Sequence, residues 1–65
     1  MKLSYFDDTD TLYIQLSDSE VFETRDLDED TLLDLDDSGK VVAITLEHAS
    51  SRTDINNLDI SGLAA

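Results

Sequence analysis

Short stretches of alternating apolar and polar residues, each followed by an acidic cluster, limit this chain to a small β-sheet fold. The run Leu12–Leu16 has leucine or isoleucine at every second position, which is the pattern of a strand with one buried face. The acidic stretch Asp7–Asp10 separates this run from the largely apolar run Leu3–Phe6. Two such runs joined by a short polar stretch predict a β-hairpin.

Three further strands are predicted downstream. Val21–Arg25 alternates weakly and is typical of an edge strand, whereas Asp26–Asp30 carries too much like charge to pack. Thr31–Asp36 alternates again, and the β-branched run Val41–Leu46 favours a central strand covered on both faces. Between these two strands, Asp36–Gly39 predicts a hairpin turn, because glycine can adopt a positive φ angle there.

This order of elements predicts a mainly β fold, a small antiparallel β-meander of four to five strands in residues 1–49. Residues 50–65 are expected to be a C-terminal tail or a short helix of the same unit, because Ile55, Leu58 and Leu63 have loosely helical spacing. The expected core is aliphatic and comprises Leu12, Ile14, Leu16, Leu33, Leu35, Val42, Ile44 and Leu46.

A chain of 65 residues without cysteine has few means of stabilising such a sheet. A domain of this size buries only about 60% of the surface that its unfolded chain exposes. Without thiols, neither disulfides nor thiolate metal sites can supplement the core. Self-association through a sheet face or edge would cover the remaining apolar surface, and we expect a homo-oligomer, with a dimer favoured.

The 16 acidic and 4 basic side chains give a formal net charge of -12, which restricts the classes of partner. Such a surface repels nucleic acids and anionic membranes, so neither is expected to bind. A basic protein is the electrostatically favoured partner, although the acidity fits equally well a protein kept soluble by its charge. The N-terminal residues Met1–Phe6 lack the regions of a secretory signal, and a cytoplasmic location is expected.

One stretch resembles the first half of a calcium-binding EF-hand loop. Oxygen-bearing Asp34, Asp36 and Ser38 alternate there, and Gly39 occupies the sixth position. The twelfth position should be a bidentate glutamate but is Thr45, and the flanks predict strands where an EF-hand needs helices. A hairpin turn explains the same residues, so no metal site is expected.

A second acidic cluster repeats this spacing at Asp26, Asp28 and Asp30 but has Thr31 where glycine belongs. A solvated run of charge is the simpler interpretation. This run, which also contains Glu29, is the stretch best suited to attract a basic partner.

No motif predicts catalysis. His48 is the only histidine, and the nearby Ser50 and Ser51 lack the sequence that surrounds a catalytic serine. Two glycines cannot supply a phosphate-binding loop, and pairs of acidic residues are too numerous in this chain to be informative. We therefore expect a non-enzymatic protein without cofactors.

The aromatic residues lie in or beside the predicted strands, where their usual role is packing. Tyr13 projects from the face of its strand opposite to Leu12 and Ile14 and is the aromatic residue expected to be exposed or to meet a partner. The predicted partner-binding residues are Tyr13, Asp26, Asp28, Glu29 and Asp30.

The segments Met1–Tyr5, Asp10–Asp18 and Asp34–Val42 resemble domain-of-unknown-function family 2283, a group of short prokaryotic proteins. The resemblance covers roughly residues 1–49 and implies a small β-rich fold. It brings no catalytic residues. Two positions depart from the family pattern, because Ala43 replaces a glycine and Thr45 replaces an acidic residue. Members of the family often lie beside genes for small toxin-like proteins, so the resemblance implies, by gene neighbourhood alone, an antitoxin or inhibitor role.

Two functions are compatible with these observations. The first is an acidic protein-interaction module, antitoxin-like in that it inhibits a basic protein, and it explains the charge and the absence of catalytic motifs. The second is a structural oligomer that responds to calcium or another divalent cation, and it explains only the aspartate spacing.

Overall fold

Five strands form one antiparallel sheet in the computed structural model of this chain, which describes residues 1–57. The elements are β1 (Lys2–Phe6), β2 (Thr11–Gln15), β3 (Glu23–Asp28), β4 (Thr31–Leu35), β5 (Val41–Glu47), the helix α1 (Ala49–Arg52) and a 3-10 turn (Ile55–Asn57). The predicted mainly β, antiparallel fold class is confirmed. The positions Leu58 and Leu63 of the predicted C-terminal helix lie outside the described residues.

The strand order across the sheet is β1-β2-β5-β4-β3. The last strand of residues 1–57, β5, therefore lies at the centre, between the β1–β2 hairpin and the β3–β4 hairpin. Residues 16–22 lead from β2 to the far edge, so the strands do not follow one another across the sheet in sequence order, and the meander order predicted from the sequence is wrong. The predicted central position of Val41–Leu46 is confirmed.

The strand registers give the sheet two faces of different chemistry. Residues directly opposite each other in an antiparallel pair project from the same face. Ile14, for example, pairs with Leu3 on one side and with Ile44 on the other. We define the aliphatic face as the side that comprises Leu3, Tyr5, Leu12, Ile14, Thr31, Leu33, Leu35, Val42, Ile44 and Leu46, with the charged β3 residues Glu23, Arg25 and Asp28 at its margin. The mixed face comprises Lys2, Ser4, Phe6, Thr11, Tyr13, Gln15, Thr24, Asp26, Leu32, Asp34, Ala43, Thr45 and Glu47.

The core lies along β5 and the strands beside it. Of the predicted core residues, Leu12, Leu35 and Val42 are buried, and Ile14, Leu33, Ile44 and Leu46 are half-buried. The prediction is wrong for Leu16, which is 42% exposed because β2 ends at Gln15. Ala43 and Ala49 are fully buried, since a methyl group allows the close approach of neighbouring backbone.

The edge strand β3 begins later and extends further than the predicted Val21–Arg25. The expectation that the acidic run stays outside the sheet is wrong for Asp26–Asp28, which form the second half of β3. All six residues of this strand are exposed, so its carboxylates remain in water and no like charge has to be buried. The pairing with β4 is irregular between Asp26 and Asp28.

The predicted hairpin turn between β4 and β5 is confirmed. The Asp36 carboxylate Oδ1 accepts hydrogen bonds from the backbone N–H groups of Ser38 and Lys40, both at 2.9 Å. Gly39 has a φ angle of 81°, a left-handed conformation that glycine adopts without steric cost. The aspartate and the glycine therefore act together to reverse the chain.

Candidate partner-binding surface

The predicted partner-binding residues Tyr13 and Asp26 share one cross-strand row on the mixed face. Tyr13 pairs with Thr45 of β5, which in turn pairs with Leu32 of β4. Leu32 pairs with Asp26 of the edge strand. Three strand spacings separate the two predicted residues, which corresponds to roughly 14 Å. Residues 28–30 continue from the same edge strand into the β3–β4 turn.

The edge strand β3 carries more carboxylates than cations. Its one cation, Arg25, forms a two-point ion pair with Glu23, with Nε–Oε2 at 2.9 Å and Nη2–Oε1 at 3.2 Å. This contact lowers the pKa of Glu23 and raises the pKa of Arg25. Within residues 1–57, the carboxylates of Asp26 and Glu29 make no ion pair. Both of these carboxylates therefore face solvent with their charge unneutralised.

Asp28 has a structural role in the β3–β4 turn. Its Oδ1 accepts the backbone N–H of Asp30 at 2.9 Å, and its Oδ2 lies 3.8 Å from Nη2 of Arg52. The N–H of Asp30 and the hydroxyl of Thr31 stabilise the charged form and hold the pKa of Asp28 below its usual value. Asp28 thus shapes the turn that presents Glu29 to solvent.

Arg52 of α1 fastens this turn to the end of β5. Its Nη1 donates to the backbone oxygens of Asp30 at 2.6 Å and Glu47 at 3.1 Å. Its Nη2 donates to the hydroxyl of Thr31 at 2.5 Å, and Thr31 is only 4% exposed. The guanidinium group is well suited to this task because its donors are fixed in one plane. His48 lies beside the turn, with Nε2 3.5 Å from Oδ1 of Asp30.

Asp10 fastens the β1–β2 turn to the start of the same helix. Its Oδ1 accepts the Tyr5 hydroxyl at 2.5 Å and the Ser50 N–H at 3.0 Å, and its Oδ2 accepts the Ser50 hydroxyl at 2.7 Å. Its backbone oxygen accepts the N–H of Ala49 at 2.9 Å. Asp10 has a left-handed φ angle of 53°, which aspartate tolerates better than most residues.

These contacts cap the helix with a residue distant in sequence. The first N–H groups of a helix have no acceptors within the helix. The carbonyl and the carboxylate of Asp10 accept two of these N–H groups, those of Ala49 and Ser50. The hydroxyl of Tyr5 and then the groups of Ser50 hold the pKa of Asp10 below its usual value. The hydrogen bond between the Tyr5 hydroxyl and Asp10 also raises the pKa of Tyr5. Asp10 therefore links β1, the turn and α1.

The aspartates of the EF-hand-like stretch do not converge. Asp34 accepts the hydroxyl of Thr24 at 2.7 Å on the mixed face, whereas Asp36 accepts backbone N–H groups in the hairpin turn. In residues 1–57 no group of three or more histidine, cysteine, aspartate or glutamate side chains is arranged to hold a metal ion. The hairpin turn accounts for this stretch.

The serines near His48 use their hydroxyls elsewhere. The Ser50 hydroxyl donates to Asp10, and the Ser51 hydroxyl donates to the backbone oxygen of His48 at 2.9 Å. A cleft of about 270 Å³ lies at the opposite end of the sheet, between residues 19–22 and the β4–β5 turn. It is lined by the acids Glu20, Asp36 and Asp37 and is below the size typical of ligand pockets.

Sequence reasoning missed the two anchoring residues, Asp10 and Arg52. Asp10 contacts Ser50, which is 40 positions away, and Arg52 contacts Thr31 across 21 positions. No local spacing rule reports on such separations. The available signal was that Arg52 is the last cation of a chain that has only 4 basic residues.

The family model of proteins of unknown function DUF2283 matches residues 2–50, a span that includes all five strands. This chain belongs to that family. Membership of DUF2283 confirms the resemblance read from the strand and turn motifs. No curated protein and no solved structure matches the chain significantly. Among residues 1–57 of this DUF2283 protein, no helix has the length and apolar character needed to cross a membrane.

Proposed function

We propose that this DUF2283 protein is a non-enzymatic, cytoplasmic protein-interaction module that binds a basic protein, as an antitoxin-like inhibitor does. The observation that supports this most directly is the edge strand β3, which is exposed along its whole length and carries unneutralised carboxylates. An exposed strand edge offers backbone hydrogen-bonding groups to a partner, and the surrounding negative charge selects a basic one.

The charge around β3 is divided between structure and recognition. Glu23 and Asp28 are engaged within the chain, the first by Arg25 and the second by the β3–β4 turn. Asp26 and Glu29 are exposed and make no ion pair within residues 1–57, so their negative charges are available to attract a basic partner. Removing these two charges therefore changes the field without removing an internal contact.

The mixed face supplies a patch of contact beside this charge. Tyr13 and Leu32 are half-buried in the row that ends at Asp26, so part of each side chain is open to a partner. Tyrosine combines an apolar ring with a hydroxyl and is frequent at the centres of protein interfaces. A basic partner would contact the carboxylates at the rim of the interface and the side chains of Tyr13 and Leu32 nearer its centre.

The chemistry of the remaining polar groups supports a role without catalysis. A serine nucleophile needs a base that takes its proton, and both serines beside His48 donate their hydroxyls to other acceptors. These two serines help to hold α1 in place.

The first prediction concerns the rate of association. A basic protein captured from the native cell extract at low ionic strength is purified and its binding is followed by stopped flow. Asp26→Asn combined with Glu29→Gln should slow association several-fold and change dissociation little, because long-range charge acts mainly on encounter. Added salt should reduce the rate of the unmodified protein towards that of the variant.

The matched control is Asp7→Asn combined with Asp8→Asn, which removes the same charge from the exposed β1–β2 turn. This variant should associate nearly as fast as the unmodified protein. Equal slowing by both double variants would contradict a specific role for the β3 side. Recovery of no basic protein at low salt would contradict the proposed function itself.

A further inference from the structure

The other edge of the sheet, β1, has the opposite character from β3. β1 contains no acidic residue, and its one charged side chain is the cation Lys2. Its pairing with β2 is regular from Lys2 to Phe6, without a bulge. Within residues 1–57, no strand pairs with its outer side. Phe6 is 50% exposed and Tyr5 is 39% exposed. A regular, partly aromatic edge without acidic residues is the kind of strand that pairs with another chain.

We propose that β1 pairs with β1 of a second copy of this chain, in an antiparallel arrangement centred on Ser4. Full overlap of the five residues places Ser4 opposite Ser4 of the second copy, Leu3 opposite its Tyr5, and Lys2 opposite its Phe6. The apolar side chains then meet each other on the aliphatic face. On the mixed face an ammonium group meets the ring of the half-exposed Phe6, which is a favourable cation–π pair.

The charge distribution favours a second copy at this edge above any other edge of the sheet. Antiparallel pairing sends the two acidic β1–β2 turns to opposite ends of the interface, where each lies just beyond Lys2 of the other copy. β3 is four strand spacings away, about 19 Å, and charges at that distance are screened at physiological ionic strength, where the Debye length is about 8 Å. The approach therefore avoids opposing acids.

The pairing would extend the sheet to ten strands around a two-fold axis perpendicular to it. Such an axis keeps each face on its own side, so the two aliphatic faces would form one continuous surface. The β3 edges would become the two ends of the assembly, open to the partner of the proposed function.

A second prediction tests the register by charge. Ser4→Glu and Ser4→Lys each place two like charges directly opposite each other at the two-fold axis, and like charges in that position destabilise a strand pair. Either variant should weaken the dimer several-fold in sedimentation equilibrium, in salt of roughly 0.5 M so that net repulsion is screened. Circular dichroism melting checks that the variant chains are folded.

The matched controls are Leu27→Glu and Leu27→Lys, which add the same charges at a 64% exposed position on the β3 edge. They should leave the dissociation constant within about twofold of the unmodified value. A monomer at all concentrations up to millimolar would overturn the proposal. So would a dimer that tolerates both Ser4 variants, or one that the Leu27 variants weaken instead.

Disulfide cross-linking gives an independent test, because the natural chain has no cysteine. Residues directly opposite each other across strands have Cβ atoms about 4.5–5.5 Å apart, close to the distance that a disulfide spans. Ser4→Cys should give a covalent dimer rapidly on mild oxidation at low micromolar concentration, and the cross-linked protein should remain folded. Leu27→Cys should cross-link far more slowly, and equal rates for the two variants would overturn the proposal.

Discussion

The two outer hairpins of the sheet are fastened to the same short helix by side chains of opposite charge. In the β1–β2 hairpin the anchor is the anion of Asp10, which accepts the amide and hydroxyl of Ser50. In the β3–β4 hairpin the anchor is the cation of Arg52, which extends from the helix to the backbone oxygen of Asp30 and the hydroxyl of Thr31. The β1–β2 hairpin therefore supplies the side chain that binds the helix, whereas the helix supplies the side chain that binds the β3–β4 hairpin.

The difference matters because acid can neutralise only one of these anchors. The carboxylate of Asp10 loses its charge once the pH falls through its pKa, which lies below the usual value, whereas a guanidinium group stays protonated throughout. The outer edges show the reverse asymmetry, since β1 carries no acid and β3 carries Glu23, Asp26 and Asp28. The two hairpins respond differently to acid, to salt and to a charged partner.

The largest effect is expected from a substitution in β5, the central strand on which both hairpins pack. Val42 of β5 is 3% exposed, and Val42→Asp would bury a carboxylate in the central strand at a cost of several kcal/mol. A chain of 65 residues has a free energy of unfolding of only about 3–10 kcal/mol. The variant should therefore lose the β signal in far-ultraviolet circular dichroism.

The neighbouring Val41 supplies the matched control, because it is 37% exposed and adjacent in sequence. Val41→Asp should keep the β spectrum. If Val42→Asp also kept it and melted within a few degrees of the unmodified protein, β5 would not be the shared support of the two hairpins.

A smaller effect is expected from a substitution at the cationic anchor, Arg52, and it should affect the β3–β4 hairpin more than the β1–β2 hairpin. Arg52→Ala removes the donors to Asp30, Glu47 and Thr31 and leaves the buried threonine hydroxyl without this partner. Hydrogen bonds from charged groups contribute about 1.5–3 kcal/mol, so the free energy of unfolding should fall by about 1–3 kcal/mol. Amide hydrogen exchange should accelerate at Thr31 more than at Thr11 in the other hairpin.

Arg52→Lys sharpens this test, because it keeps the charge but loses the planar set of donors. An intermediate loss of stability is expected, since one ammonium group cannot reach all three acceptors with the same geometry. Full retention of stability in Arg52→Lys would mean that charge alone, and not hydrogen-bond geometry, holds the β3–β4 turn.

The smallest effect is the response of the anionic anchor to acid. The pKa of Asp10 is lower in the folded chain than its usual value of 3.8, so its contribution to stability is complete above that value and declines as pH falls through the folded pKa. Below about pH 4 the Ser50 amide should therefore lose protection, measured as its exchange rate relative to that of an unstructured peptide at the same pH. Asp10→Asn should show faster exchange already at neutral pH and a weaker dependence of that exchange on acid.

Asp8→Asn is the control for this titration, because it removes one charge from the same turn and leaves the contacts to Tyr5 and Ser50 intact. Its acid profile at Ser50 should follow that of the unmodified protein. Identical profiles for Asp8→Asn and Asp10→Asn would show that general charge, and not the Asp10 anchor, controls this end of the sheet.

The sequence was most informative where short-range periodicity and turn chemistry determine structure. The alternation in Leu12–Leu16, the β-branched run Val41–Leu46 and the glycine turn at Gly39 each correspond to an observed element. Periodicity was a poorer guide at β3, because an exposed edge strand does not need an apolar face. Acidic residues in Asp26–Asp28 therefore looked like a loop and form a strand.

Strand order and the anchoring contacts were beyond such rules. Hairpin signals describe neighbours along the chain and predicted the pairing of β4 with β5, whereas the pairing of β5 with β2 joins residues far apart in sequence. The contact between Asp10 and Ser50 exists only because that insertion brings the end of β5 beside the β1–β2 turn. The solvent exposure of Asp26 and Glu29 agrees with their prediction as a charged surface, but the structural role of Asp28 depends on the turn geometry.

The central position of the last strand also has a consequence during synthesis. The ribosome completes both outer hairpins before β5 emerges, and an isolated two-stranded hairpin is at best marginally stable in water. Until Val41–Glu47 is available, Leu12 and Leu35 have no β5 side chains to pack against. A chain that stops before Val41 should therefore be a substrate for proteases, and only the finished chain should escape them.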